Sequence, residues 1–359
     1  MNLTIEKLFS DVNIVSALID RVLQTRKDKI YWQQYGKFQE TKSRVFKTYL
    51  GTVSGVIAGS IIGKNSQKPI RERRSLGVGY TEIAYLGDRY QMDIERLSDL
   101  QDLIDKYNVA APGEQKAVLN DIIDFIYDDF RQILLAPHKR MDLVVGELLM
   151  SGKANVKNAD NREGIDVLSI ELPFHSLKPD TGVKTKFITY LQQEIEKLKS
   201  KYGVFSKMVM SRGTFVKNII GSSEFGDKFK MNLTGNEMYL STGLVTSELA
   251  SQIFTGIGLP AIEIKDDYVM DQNGDNVQVY ADGKITLLQS DDILRMRHHK
   301  PYVMTDPVPG RQYSGAEGQM SICNYRDEEG RYMEYTAEWI PEFIAPNKIV
   351  NIDLSTMNG

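Results

Sequence analysis

The fold is decided by residues 113–152, which read GEQKAVLNDIIDFIYDDFRQILLAPHKRMDLVVGELLMSG. In the first half of this stretch apolar side chains recur every three or four positions, so a helix gathers them into one stripe. The stripe consists of Leu119, Ile122, Ile123, Ile126, Phe130, Ile133 and Leu134. The opposite face carries four aspartates, Asp121, Asp124, Asp128 and Asp129. The pattern predicts a long amphipathic helix with an acidic outer face.

Pro137 interrupts the pattern. Proline lacks a backbone N–H and clashes with the carbonyl of Ile133, so we expect a kink or a pause there, with Ala136 in an extended conformation. Helical spacing resumes at Met141, and Gly152 supplies the left-handed residue that commonly ends a helix. At 1.5 Å per residue the two arms together span roughly 60 Å. This length favours a spine that carries separate parts over a buried helix of an ordinary globular protein.

Composition limits the possible functions. The chain has 359 residues, of which 42% are hydrophobic and 26% charged, so it can bury one or two substantial cores. The 44 basic and 48 acidic residues give a net charge of -4, which excludes a globally basic nucleic-acid binder. Cys323 is the only cysteine, which excludes a disulfide framework and a zinc site of paired cysteines. The N-terminal sequence does not match a secretory signal, and we expect a cytosolic product.

The N-terminal part contains two predicted elements. Residues 3–24 have helical apolar spacing, and this amphipathic helix either is covered by a partner or packs on its own domain. Residues 45–92 are predicted to form a long two-stranded arm. The tip of the arm is basic and contains Lys68, Arg71, Arg73 and Arg74. An isolated hairpin is marginally stable in water, so such an arm is expected to lie on another chain or domain.

Glycines at positions 51, 55, 59 and 63 give the arm its one membrane-like feature. Small residues four apart allow transmembrane helices to approach closely. The uncharged run at 48–63 is nevertheless shorter than the roughly 20 residues that span a bilayer. An extended glycine-rich arm is therefore the preferred interpretation.

Residues 160–310 are predicted to form a mixed α/β lobe. Helices are expected at 187–202, 214–220 and 246–254, and an antiparallel hairpin or meander at 259–288. The tail from Gln319 alternates as strands do, with Pro341 and Pro346 at an edge or a bulge, and is expected to rejoin the spine.

No motif indicates catalysis, a cofactor or a metal. Asp271, Asn273 and Asp275 resemble the start of a calcium loop, but Asn276 occupies the glycine position, so a hairpin turn explains them better. His298 and His299 are adjacent and point to different faces of either a helix or a strand. No GxxxxGK[ST] phosphate loop is present.

Three stretches carry a family resemblance. They are HKRMDLVVGELLMSGKANV at 138–156, PIRERRSLGVGYTEIAYLGDRYQMDIERLSDL at 69–100 and EYTAEWIPEFIAPNKIVNIDL at 334–354. They resemble the spine ending, the descending strand of the extended loop with its following helix, and the closing strand of the lambda-type major capsid protein E family of tailed bacteriophages. The resemblance follows the order of these parts along the chain, and the glycines and Pro137 depart from it.

The resemblance implies an α+β Hong Kong 97-like fold and a shell subunit without catalytic residues. The implied parts are an N-terminal arm at 1–44, an extended loop at 45–92, a peripheral domain at 93–159 and 311–359, and an axial domain at 160–310. Copies would assemble into pentamers and hexamers around double-stranded DNA, which they contact without sequence specificity. With only about 45 residues before the loop, a separate scaffolding protein is expected, besides a portal protein and, in some systems, a decoration protein.

Such a protein is located in the virion, and in the host cytoplasm during assembly, without a membrane. The acidic face of the spine is a candidate landing site for the basic tip of a neighbour. Two other classes stay open at this stage. One is an encapsulin-like nanocompartment shell protein, which shares the architecture, and the other is an enzyme with an unrecognised site.

Overall fold

The computed structural model describes residues 2–25, 29–49, 78–154, 170–172, 174–225, 246–271, 273–327 and 330–358. The helices are α1 (Ile5–Ser10), α2 (Val12–Thr25), α3 (Ile94–Val109), α4 (Gln115–Ser151), α5 (Phe187–Tyr202), α6 (Arg212–Thr214), α7 (Ser247–Gly256) and α8 (Ser355–Asn358), and a π-helical turn (Phe215–Ile220) follows α6. The strands are β1 (Gly36–Glu40), β2 (Val45–Tyr49), β3 (Val78–Glu82), β4 (Ala84–Met92), β5 (Lys153–Ala154), β6 (Ile170–Glu171), β7 (His175–Leu177), β8 (Lys207–Ser211), β9 (Ala261–Lys265), β10 (Tyr268–Met270), β11 (Asn276–Gln278), β12 (Lys284–Leu288), β13 (Leu294–His299), β14 (Gln312–Gly315), β15 (Ser321–Arg326), β16 (Arg331–Phe343) and β17 (Val350–Asp353).

Helix α4 is the predicted spine, and its 37 residues run without interruption through Pro137. The predicted pause there, with an extended Ala136, is therefore wrong. Proline removes one hydrogen bond of the helix, whereas the helix buries apolar side chains in the same core on both sides of it, among them Ile133 and Met141. The C-terminal end is confirmed, because Gly152 adopts a φ of 72° and donates its N–H to the carbonyl of Leu148 at 2.8 Å.

A six-stranded sheet packs against the spine. Its strands follow the order β1-β13-β16-β15-β14, and β4 pairs with the long strand β16. The tail therefore rejoins the spine, as predicted. Pro341 pairs with Met296 of β13 just beyond Trp339, where the pairing of β16 with β4 ends. Proline has no N–H to donate to a ladder, so it is tolerated at a position where one edge of the strand has no partner strand.

A second sheet has the order β7-β17-β12-β8-β9 and carries its own core under α5 and α7. The predicted inward residues of α5 are confirmed as buried: Ile188, Leu191, Ile195 and Leu198. Strand β13 lies within 160–310 but belongs to the first sheet, and β17 lies within 311–359 but belongs to the second. The hairpin at Asn273 is confirmed as β10–β11, whereas β12 pairs with β8 and β17, so a continuous meander over 259–288 is wrong.

The root of the predicted arm is present as the antiparallel pair β2–β3, with Val45 opposite Glu82. Residues 84–92 do not continue the arm, since β4 joins the six-stranded sheet, and that part of the prediction is wrong. The glycines at 51–63 and the basic tip lie outside the described residues. In the part of the chain that the structure describes, no helix is long and apolar enough to cross a membrane.

Of the two alternatives for the N-terminal helix, the structure shows packing on the protein's own core. The helix is divided at Asp11 into α1 and α2. The apolar side chains of both helices are buried in the cluster that also contains the inner face of α4: Leu8, Phe9, Val15, Leu18, Ile19 and Val22. This arrangement fixes α1 and α2 on the spine.

Candidate functional site

The four predicted aspartates lie on the outer side of α4, but they are not equivalent. Asp121 and Asp128 are exposed. Asp124 is also exposed, and its Oδ1 forms an ion pair with Nη2 of Arg21 on α2 at 2.8 Å. On this face of α4, the described residues therefore show no ion pair for Asp121 or Asp128, whereas Asp124 already joins α2 to the spine.

Asp129 is half-buried and belongs to the protein's own packing. Its carboxylate lies 3.0 Å from the Arg96 guanidinium of α3, which also donates to the Phe125 carbonyl at 3.1 Å. Burial raises the pKa of Asp129, and the charge of Arg96 opposes this shift. Asp129 thus stabilises the contact between α3 and α4, and its predicted role at an interface is the weakest of the four.

The root of the arm is tied to the six-stranded sheet by a buried carboxylate. Glu338 of β16 is 2% exposed, accepts a hydrogen bond from Arg44 Nε at 2.9 Å and contacts His299 Nδ1 at 2.8 Å. The hydrogen bond to Glu338 raises the pKa of Arg44. The carbonyl of Arg44 also accepts the N–H of Ile83, which closes the base of the β2–β3 pair. The direction in which the arm leaves the sheet is therefore fixed by a bidentate ion pair.

Aromatic rings join the middle of the spine to the sheet. His138 of α4 is buried, its Nδ1 accepts from Trp32 Nε1 at 3.3 Å, and its Nε2 lies 3.4 Å from Glu317. The Trp339 ring lies 4.8 Å from His138 and 4.9 Å from Phe38 between ring centroids. This cluster holds β1, α4 and β16 together directly beside Pro137.

Asp142 lies one turn further along the same face of the helix. It is 1% exposed, and its carboxylate accepts the backbone N–H of Trp32 at 2.9 Å. Burial raises the pKa of Asp142 to about 6, although this hydrogen bond and the charge of Lys139 lower it. Because the ordinary value is 3.8, the native protein retains a proton between about pH 4 and 6 that the unfolded chain has released. Protonation of Asp142 therefore favours the folded protein. This stabilisation is complete below about pH 4 and is lost as the pH rises through 6.

We expect the variant Asp142→Asn to lose this pH dependence, since an amide oxygen still accepts the Trp32 N–H without a charge. Its free energy of unfolding relative to the parent should increase by on the order of 1–2 kcal/mol between pH 4 and pH 7. Urea denaturation of the unassembled subunit at both pH values measures the difference. Asp121→Asn, at an exposed position, is the control and should show no such change. An equal difference at both pH values for Asp142→Asn would contradict the assignment.

The remaining candidates from the sequence have structural explanations. His298 packs its ring against Phe38 at 5.5 Å, while His299 faces Glu338, so the two histidines lie on opposite faces as predicted. Asp271 accepts the N–H groups of Asn273 and Asp275 at 2.8 and 2.9 Å, which confirms the hairpin turn.

Cys323 is buried, and burial raises the pKa of its thiol to about 11, so the reactive thiolate is disfavoured. Over the described ranges, no three His, Cys, Asp or Glu side chains are placed to hold a metal ion.

Comparison with known proteins identifies the fold. No protein-family model and no curated protein sequence matches the chain. A solved structure assigned as the capsid protein of an E. coli CFT073 prophage matches with a TM-score of 0.56 and 11% identity, over 95% of this chain and 98% of that one. A phage-related protein from Bordetella bronchiseptica RB50 matches with a TM-score of 0.48, 10% identity and coverage of 95% and 96%. The chain thus has the α+β fold of the prophage protein, which agrees with the predicted Hong Kong 97-like class.

Proposed function

We propose that this protein is the major capsid protein of a tailed bacteriophage, whose copies form the pentamers and hexamers of an icosahedral shell around double-stranded DNA. The observation that carries the proposal is the match in fold to the prophage capsid protein, which covers 95% of this chain and 98% of that chain. The proposed function is structural, and the site to be explained is the surface between copies.

The arm supports assembly through its form. The β2–β3 pair is a two-stranded sheet separate from both larger sheets. Two strands alone are marginally stable in water, so a neighbouring copy that covers them would stabilise them. Contacts in which an arm of one copy lies on a different surface of the next are heterologous, and they close into rings or shells.

The division of the chain is proposed as follows. The six-stranded sheet, α3 and the spine form the peripheral domain, which includes β13 from within 160–310. The five-stranded sheet with α5 and α7 forms the axial domain, which includes β17. Residues 45–82 form the extended loop. The N-terminal segment, named an arm from its sequence, serves mainly as packing on the spine.

The proposed partners are named here as kinds of protein and nucleic acid. Besides further copies of the chain, they are a separate scaffolding protein, a portal protein and, in some systems, a decoration protein. Packaged DNA would lie on the inner face without sequence-specific contacts. The protein would act in the virion after assembly in the host cytoplasm.

Expression of the chain, alone and with its genomic neighbours, followed by electron microscopy of the purified material, tests the function. We expect closed shells or rings of five and six copies. DNA inside particles made during infection supports the phage protein, whereas an enzyme cargo supports a nanocompartment. A stable monomer at high concentration would contradict both.

A second test concerns the basic tip and the acidic spine. We expect charge reversal of Arg71, Arg73 and Arg74 to glutamate to block shell closure while the subunit stays folded, because like charges at an interface cost several kcal/mol. The number of closed particles and the circular dichroism of the subunit measure the two effects. Normal particles from this variant would remove the tip from the assembly surface.

Two further variants sharpen this experiment. Reversal of the exposed lysines Lys178, Lys184 and Lys186 applies the same change in charge elsewhere and should leave closure intact. Added to the tip reversal, Asp121→Lys and Asp128→Lys should restore closure if the tip of one copy lies on the spine of the next. Without such rescue, the tip contacts another surface.

A further inference from the structure

A small pocket lies between α1, α3, α4 and the strands β4, β15 and β16. It encloses about 340 Å³, including the part that opens to solvent. Among its lining residues are Phe9, Arg96, Asp129, Asn324 and Arg331. Only a small part of this volume is enclosed, well below the roughly 300 Å³ of pockets that bury whole small molecules, so the pocket fits a single side chain.

The two arginines of the pocket differ in whether a carboxylate is paired with them. Arg96 is paired with Asp129 at 3.0 Å. The Arg331 guanidinium lies 4.9 Å from the centre of the Phe9 ring, and in the described part of the chain no acceptor lies within hydrogen-bond distance of it. Burial lowers the pKa of Arg331, the nearby charge of Arg326 lowers it further, and the charge of Glu6 on α1 opposes both, although the described residues show no ion pair between Glu6 and Arg331. The pocket therefore contains one half-buried positive charge that lies on an aromatic ring and has no carboxylate in direct contact among the described residues.

A second polar group in the pocket is also unsatisfied. Asn324 is 5% exposed, and none of the described residues donates a hydrogen bond to its Oδ1. A buried acceptor without a donor destabilises a protein, and most such groups in native proteins have a protein or water partner. The pocket thus presents a cation and a buried acceptor together, which fits an occupant with both a carboxylate and an N–H.

We propose that this pocket binds an acidic side chain, an aspartate or a glutamate, from a second copy of the chain. The carboxylate would pair with Arg331, whose planar guanidinium suits carboxylate geometry, and the backbone N–H of the same segment would reach Asn324. The inference rests on the proposed function, because a shell brings other copies of this acidic chain to the surface of each subunit. Its net charge of -4 makes acidic side chains the more abundant charged partners.

The matched variants are Arg331→Gln and Arg326→Gln. Both remove one positive charge, and the two residues lie opposite each other on β16 and β15, but Arg326 is exposed and does not line the pocket. We expect Arg331→Gln to reduce the yield of closed shells at least about tenfold, since charge-assisted hydrogen bonds are the strong ones. Arg326→Gln should stay within about twofold of the parent, as exposed ion pairs contribute little. Equal yields from all three proteins would overturn the inference.

A reconstruction of the parent particle decides the matter even if Arg331→Gln fails to fold. We expect a carboxylate oxygen of a neighbouring copy within about 4 Å of the Arg331 guanidinium. Water alone, a DNA phosphate or a carboxylate of the same chain at that place would overturn the inference. If the parent chain forms no particles, the proposed function fails. If it forms particles whose pocket lacks a neighbour's carboxylate, only the present inference fails.

Discussion

Replacement of Trp339 by alanine is expected to destabilise the subunit by about 3–5 kcal/mol, the cost of removing a large aromatic side chain from a closed core. Trp339 is fully buried, and its Nε1–H donates to the carbonyl of Gly318 at 2.9 Å. Its ring contacts Phe38 of β1 and His138 of α4. The cavity would therefore open where the spine, β16 and β1 meet, and it would leave the Gly318 carbonyl without its donor.

Urea denaturation of the unassembled subunit measures this loss. Tyr268→Ala is a suitable control, because it removes an aromatic side chain that is 52% exposed, and it should change the free energy of unfolding by less than about 1 kcal/mol. A loss below about 1 kcal/mol for Trp339→Ala would mean that the junction collapses around the missing ring, and that the cluster is not the link between spine and sheet.

The second large effect is expected from Gly146→Ala. Alanine normally favours the middle of a helix over glycine by about 1 kcal/mol. Here a Cβ at Gly146 would lie 2.2 Å from the carbonyl oxygen of Val279 and 2.8 Å from its Cγ1. The backbone that follows β11 would have to move away from the spine, so we expect a net loss of about 3 kcal/mol.

Gly256→Ala provides the comparison, since this glycine also lies in a helix, and nothing lies within 4 Å of an added Cβ. It should be neutral or slightly stabilising. Thermal denaturation of the two variants beside the parent measures the contrast. A Gly146→Ala protein as stable as the parent would show that the backbone at Val279, just after β11, does not pack closely on α4.

Local patterns predict the helices of this protein well. The apolar spacing of α4 and of α5 reflects which face of each helix meets the core, and the structure buries those faces. Pro137 shows the limit of such rules, because the packing of the flanking turns outweighs one missing hydrogen bond.

Sheet membership could not be predicted in the same way. Alternation along β13 or β17 reveals a buried face but not which sheet provides it. Strand β13 is in a different sheet from β12, which precedes it, and β17 is in a different sheet from β16, which precedes it. The choice depends on partners far away in the chain, such as β16 for β13.

The candidate site was predictable only in part. The four aspartates of α4 are visible in the sequence, but the ion pairs that two of them form are not. Asp124 pairs with Arg21 and Asp129 with Arg96, which lie 103 and 33 positions away in the chain. Glu338 alternates with buried Ala337 and Trp339, so the pattern indicates an exposed position. It is buried because Arg44, at the root of the arm, covers it.

The tie between Arg44 and Glu338 also has a mechanical consequence. Glu338 belongs to β16, which is hydrogen-bonded to β13, β15 and β4. A pull on the arm would therefore reach a strand that is hydrogen-bonded along both of its edges, and these ladders together resist sliding. Tension between neighbouring copies in a shell would be spread over the whole six-stranded sheet, and the backbone hydrogen bond between residues 44 and 83 would not have to bear it alone.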